Sequence, residues 1–347
     1  MKRSMKWGAA LAAGLLALSA CGSDSDSDGD SGSDAEGGSD LVVGLAYDIG
    51  GRGDQSFNDS AAAGLERAAE EFGLEYNELE AGNNETDTQK EERLRLLADA
   101  GNNPVLAIGF AYAGPLEKVA ADYPDTSFAI VDDSSITAEN VANLIFAEQE
   151  GSALVGAIAA DASETGNIGF VGGVETPLIK KFEAGYIAGA QSVNPEITVQ
   201  VKYLTQPPDF SGFNDPAKGG GAAAGMYDQG ADVVYHAAGG SGSGVFDEAV
   251  AAEGLAIGVD SDQYLTASDD VKPVIITSMI KRVDNSVYNM IKSVVDGEPL
   301  VGTQEATLED EGVGYSTSNP AVEPYTAIAE ETKQAIIDGE FVVPSTP

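Results

Sequence analysis

One cysteine (Cys21), one histidine (His236) and one tryptophan (Trp7) are all that 347 residues contain of these three types. A single cysteine excludes an internal disulfide framework, so the folded part must hold together by burial. A single histidine excludes a His-based metal site and leaves histidine acid–base chemistry to one position. Basic residues are also scarce, with 18 Lys and Arg against 57 Asp and Glu, a net charge of −39. Three of those bases precede Cys21 and seven of the acids lie between residues 22 and 40, so the remainder still carries −35. Nucleic acid as a partner is excluded on this ground, because phosphate neutralisation needs basic patches. The same acidity repels anionic lipid headgroups and otherwise favours solubility.

The N-terminus combines Lys2, Arg3 and Lys6 with an apolar run from Ala9 to Leu18, the pattern of a signal peptide over residues 1–20. That run is too short for a permanent bilayer span. It ends in Leu18-Ser19-Ala20-Cys21, which resembles the lipobox of bacterial lipoproteins. Cys21 is therefore expected to become the lipidated first residue, leaving a mature chain without tryptophan. Residues 21–40 are mostly Ser, Asp and Gly and read as a solvated tether with too little apolar surface to fold. Within it Asp24, Asp26, Asp28 and Gly29 imitate the start of a calcium loop, but Ala35 stands where the bidentate Glu is needed.

From Leu41 onward short apolar runs alternate with amphipathic stretches. The runs Leu41 to Ala46, Val105 to Phe110, Ser127 to Val131, Asn167 to Val171, Thr198 to Tyr203, Asp232 to Tyr235, Leu255 to Val259 and Val274 to Thr277 suit strands buried on both faces. Helical patterns occupy 58–72, 87–100, 148–162, 178–192, 215–229, 283–295 and 325–338, with Asn58 or Ser56 as the first cap and Gly73 and Gly339 at helix ends. Strand and helix in alternation predict an α/β fold with parallel sheets. Some 300 residues exceed one core, so two lobes are expected, joined by several short crossings because no long linker follows Asp40. The expected division is 41–147 plus 276–303 for the N-terminal lobe and 148–275 plus 304–347 for the C-terminal lobe.

The segment Ala46-Tyr47-Asp48-Ile49-Gly50-Gly51-Arg52-Gly53-Asp54-Gln55-Ser56-Phe57-Asn58 runs from the first strand into the first helix, where parallel sheets bind ligands. It offers a carboxylate, an aromatic face and an amide in one loop; equally, Asn58 could be an N-cap and Phe57 a core residue. The Gly239 to Gly244 stretch suggests a phosphate cradle, yet it lacks the Gly-Lys-Ser/Thr ending of a P-loop. Neither Ser241 nor Ser243 has the spacing of a nucleophile elbow. His236 reads as packed or cleft-lining. A carboxylate-only enzyme such as a calcium-holding nucleoside hydrolase remains open on composition, but its clustered N-terminal aspartates do not appear.

That first loop, together with Phe170-Val171-Gly172-Gly173-Val174-Glu175-Thr176-Pro177 and Lys181-Phe182-Glu183-Ala184-Gly185-Tyr186, resembles the basic membrane protein (BMP) family of ABC-transporter substrate-binding lipoproteins. So do Phe213-Asn214-Asp215-Pro216-Ala217-Lys218-Gly219, the run Ala237 to Phe246, Gly258 to Gln263, and Ser278-Met279-Ile280-Lys281. The resemblance spans Leu41 to Pro344. It implies a type I periplasmic-binding-protein fold, two doubly wound parallel-sheet lobes closing by hinge motion over a nucleoside, purine in the best understood members. By that resemblance Phe57 and a second ring stack on the base, the second being Phe213 in preference to Phe210. Asn58 and Asp132, with Asp133 as the neighbouring alternative, would read its polar edge. Asp48, Gly239, Asp260 and Lys281 would surround the ribose. It further implies a monomeric receptor without catalysis, cofactor or metal, anchored through Cys21 on the extracytoplasmic face of the membrane and serving an ABC permease and ATPase. A sugar or other small polar ligand in the same cleft, and a lipoprotein signalling its occupancy to a membrane sensor, are the alternatives.

Overall fold

The computed structural model describes residues 41–82 and 85–347. The signal-like segment, Cys21 and the acidic tether lie outside the described residues.

The chain opens with β1 (Val42–Ala46), α1 (Phe57–Phe72), β2 (Glu75–Leu79), α2 (Asp87–Asp99), β3 (Val105–Ala107), α3 (Ala113–Asp122), β4 (Phe128–Val131) and β5 (Val141–Phe146). It continues with α4 (Glu148–Ala162), β6 (Asn167–Val174), α5 (Pro177–Val193), β7 (Thr198–Thr205), α6 (Pro216–Asp228), β8 (Val233–Ala237), α7 (Gly242–Ala251), β9 (Leu255–Asp260), the one-turn α8 (Gln263–Thr266) and β10 (Ile275–Lys281). Last come α9 (Val283–Val295), β11 (Gly302–Ala306), β12 (Val313–Tyr315) and α10 (Thr326–Ile337). The strands form two six-stranded sheets, ordered β11-β5-β4-β3-β1-β2 and β12-β10-β9-β8-β6-β7. The second order repeats the first, strand for strand. All pairings are parallel except β10 with β12.

Local sequence explains the pieces. Central strands such as β1 and β4 are apolar and buried, whereas β2, Glu-Tyr-Asn-Glu-Leu, is an edge strand exposed over most of its length. Helix α2 starts at a capping box in which Thr86 and Gln89 satisfy each other's backbone N–H groups. Helix α5 starts at Thr176, whose hydroxyl accepts from the Ile179 N–H, followed by Pro177. Helices α4 and α5 pack at backbone contact: a Cβ at Gly189 would lie 2.0 Å from the Ala153 carbonyl oxygen. Only glycine permits that approach.

The chain passes between the sheets three times, after β5, after β10 and after β11. This corrects the expected division. Residues 276–281 belong to the second sheet, where β10 lies between β9 and β12, and the first lobe resumes only at α9. There the Asp284 N–H donates to Ser60 Oγ of α1 at 3.2 Å. The first lobe then runs on through Ala306 rather than stopping at 303, because β11 pairs with β5 over its whole length. A buried apolar run does not reveal which of two equivalent sheets it joins, and that is why the boundary was misplaced. Two lobes of order 2-1-3-4-5 with three crossings make the type I periplasmic-binding-protein fold. In each lobe the order reverses between the first and third strands, and ligands bind outside the carboxyl ends of the strands at such a reversal.

Candidate functional site

The strand ends of both lobes face one cavity, partly open to solvent and lined from both sides. All eight residues singled out from the sequence line it: Asp48, Phe57, Asn58 and Asp132 from the first lobe, and Phe213, Gly239, Asp260 and Lys281 from the second. The structure adds Ile49, Asp54, Gly109 and Phe110 on the first side and Leu178, Ile179, Phe182, Ala237 and Val259 on the other. Sequence reasoning missed Phe182, though it lies in α5 one turn beyond Leu178 and Ile179, the spacing of one helix face.

The β1–α1 loop is organised by Asp54. Its carboxylate accepts from the backbone N–H groups of Ser56 (2.9 Å), Asn58 (2.9 Å) and Asp59 (3.1 Å), and from Asn58 Nδ2 (3.0 Å). Asn58 Nδ2 also reaches the Ile49 carbonyl at 3.4 Å, and its Oδ1 accepts from the Asp48 N–H at 3.1 Å. Both Asn58 donors are therefore engaged inside the loop. The side chain fixes the wall of the cavity and leaves one lone pair toward a ligand. Asp48 is different, since among the described residues no side chain donates to its carboxylate. Burial raises that carboxyl to about 6. Its Oδ2 lies against Gly109 (φ +107°), where a Cβ would come within 2.6 Å of it.

In the same cavity Lys281 Nζ lies 2.6 Å from Asp132 Oδ1 and 3.3 Å from Glu148 Oε1. The rings of Phe146, Phe57 and Phe182 lie 4.9, 5.2 and 5.5 Å from that ammonium, within cation–π range. Lys181 supports the cluster from α5 through Glu148 Oε2 at 3.0 Å. Burial raises the Asp132 and Asp260 carboxyls, and Glu148 pushes both further in that direction. The three carboxylates together hold Lys281 above its ordinary value in spite of its burial. Asp132 (φ +70°) and Asp260 (φ +64°) follow or end equivalent strands, β4 and β9, and both adopt the left-handed conformation. Such backbone strain is kept where side chains must be aimed.

Asp132 and Lys281 form one ion pair across the lobes, while Asp48 and Asn58 are joined within the β1–α1 loop. Of the two candidate rings, Phe213 lines the cavity. Phe210 meets Phe110 edge-on across the lobes, with centroids 5.8 Å apart. Asp133 is not a lining residue and accepts from Ser135 of its own turn. His236 is fully buried within β8, edge-on to Phe246, and burial lowers it to about 4. The Ser241 hydroxyl donates to the Gly212 carbonyl at 2.7 Å, and Ser243 bonds Gly240, so neither is joined to His236. Among the described residues no group of His, Cys, Asp and Glu is arranged to hold a metal ion.

Two lobes joined by three crossings, with aromatic rings and carboxylates converging from both, define a solute-binding protein of the two-lobed, cleft-closing class. Residues 41–347 match the family model Bmp, described as ABC transporter substrate-binding protein PnrA-like, and the chain belongs to that family. It is 36% identical to a CD4+ T-cell-stimulating antigen of Listeria monocytogenes, over 97% of this chain and 96% of that protein. It is 34% identical to the ABC transporter nucleoside-binding protein BmpA of Lactococcus lactis, over 88% of this chain and 90% of that one. A solved ABC-transporter solute-binding protein from Aeropyrum pernix K1 superposes with a TM-score of 0.76 at 32% identity, covering 88% of this chain and 94% of its own.

Proposed function

We propose that this protein captures a nucleoside, purine in the first instance, on the outer face of the cell membrane and delivers it to an ABC permease. The observation that carries this reading is the combination of stacking rings and ion-paired carboxylates within one interlobe cavity. A base has two apolar faces, which Phe57 from one lobe and Phe213 or Phe182 from the other can cover. Its polar edge is read by Asp132 and by the remaining lone pair of Asn58. The vicinal hydroxyls of a ribose suit the Asp48 and Asp260 carboxylates and the Lys281 ammonium, acceptors and donor together; left unpaired in a buried site they would oppose binding. Gly239, at φ +54°, lets backbone approach the same end without a side chain. The nucleoside-binding relative supports the ligand class.

In this reading the protein is a receptor and not a catalyst. It works as a monomer. Its membrane attachment rests on Cys21 and the preceding Leu18-Ser19-Ala20, and its partners are the permease and ATPase of an importer. Mass spectrometry of the small molecules released on denaturing protein purified from its own host tests the ligand class: a nucleoside in near-stoichiometric amount supports it, and a sugar in that amount overturns it.

A further inference from the structure

We infer that Ser56 is a positioning residue for sugar recognition: from the first lobe it fixes the Asp260 carboxylate of the second, so the ribose end of the cavity is complete only when the lobes close. The sugar assignment rests on the nucleoside reading above; the closing contact does not.

Ser56 occupies the N-cap position of α1, where a serine ordinarily accepts from the second or third helical N–H. Here its side chain caps nothing. Asp54 accepts those two N–H groups, from Asn58 and Asp59, and so frees the Ser56 hydroxyl. That hydroxyl crosses the cleft and donates to Asp260 Oδ2 at 2.6 Å. The contact is answered by Ser261, whose Oγ donates to the Ser56 carbonyl at 2.9 Å. Ser56 is fully buried and Asp260 nearly so, so water does not substitute for either partner. Gln55 (φ +54°) and Asp260 (φ +64°) both hold left-handed backbone, so non-glycine strain flanks the bridge on both sides.

The bridge has two consequences. With Oδ2 held by Ser56, the other oxygen of Asp260 is turned to the ligand, and a charge-assisted acceptor is directional only when so fixed. Asp260 also lines a second interlobe groove, beside Asp59, Ser261 and Arg282, so the Ser56–Asp260 contact stands as the partition between that groove and the ligand cavity. Opening the lobes breaks the partition and releases the carboxylate together.

The test uses the full chain and its Ser56→Ala and Ser56→Thr variants, titrated calorimetrically with adenosine, guanosine and their 2′,3′-dideoxy counterparts. Ser56→Ala is expected to weaken ribonucleosides roughly tenfold and the dideoxy compounds less than about threefold, with Ser56→Thr restoring most of the difference. Equal losses for both series, or no loss, overturn the inference. If the unaltered protein binds no nucleoside, the ligand reading and with it the sugar role fall. Small-angle scattering of the ligand-free proteins then judges the closing contact alone: a larger radius of gyration for Ser56→Ala supports it, and an unchanged one overturns it.

Discussion

Lys281 Nζ lies 2.6 Å from Asp132 Oδ1, although the lysine ends a strand of the second sheet and the aspartate follows a strand of the first. The lysine stands beside one crossing, and Glu148, 3.3 Å away, begins the helix just after another. The pair therefore joins the hinge to the ligand cavity. Three carboxylates converge on one fully buried ammonium, and the two partners are not equivalent.

Lys281→Met should destabilise the protein by roughly 3 to 5 kcal/mol, because it strands Asp132 and Asp260 without their cation and leaves Glu148 with Lys181 alone. Asp132→Asn should do less damage, about 1 to 3 kcal/mol, since Glu148 still holds the lysine and one like charge is removed. Denaturant unfolding of both variants measures this, and a larger loss for Asp132→Asn would contradict the assignment.

Phe57→Ala removes one wall of the cavity proposed to take the base. Nucleoside affinity should fall by roughly 1 to 3 kcal/mol, the range of one stacked base. Stability should change much less, because Phe57 is only half-buried and faces the cavity. Calorimetry with melting curves separates the two, and a large drop in melting temperature with affinity intact would make Phe57 a core residue.

Affinity should depend on pH through Asp48. In the free protein burial holds its carboxyl at about 6, and a ligand donating to the carboxylate favours the ionised form. Protons then compete with ligand at Asp48: its contribution is complete well above pH 6 and is lost as pH falls through about 6, by up to tenfold per unit. His236 stays neutral throughout, at about 4. Asp48→Asn should flatten the profile between pH 7 and 5 by one proton; an unaltered slope would place the titration elsewhere.

Cys21→Ser should abolish lipid attachment and leave precursor or released protein, read by fractionation and by palmitate labelling. Normally processed, membrane-retained Cys21→Ser protein would contradict the lipobox reading.

The parallel repeat was legible because its central strands are nearly continuous apolar runs. What sequence reading omitted has physical reasons. The edge strands β2 and β11 are polar, since they carry no buried face. Strand β5 carries Asn143 in mid-strand, where Nδ2 donates to the Ile136 carbonyl at 2.7 Å. Helix α7 begins in Gly242-Ser243-Gly244, which reads as a loop, yet a Cβ at Gly244 would lie 1.9 Å from the Pro216 carbonyl oxygen of α6. The eight candidate residues that line the cavity were reachable through strand-end loops and the family resemblance. The use of Asn58 within its own loop, the grouping of Asp132 with Lys281 and the turning of Ser56 toward Asp260 depend on long-range geometry that no local pattern encodes.

Isothermal titration of the unaltered protein against a panel of nucleosides, free bases and sugars addresses the central claim most directly. One nucleoside per chain should bind, with ribonucleosides ahead of both their free bases and their 2′,3′-dideoxy forms. Binding of a sugar with no response to any nucleoside would contradict it.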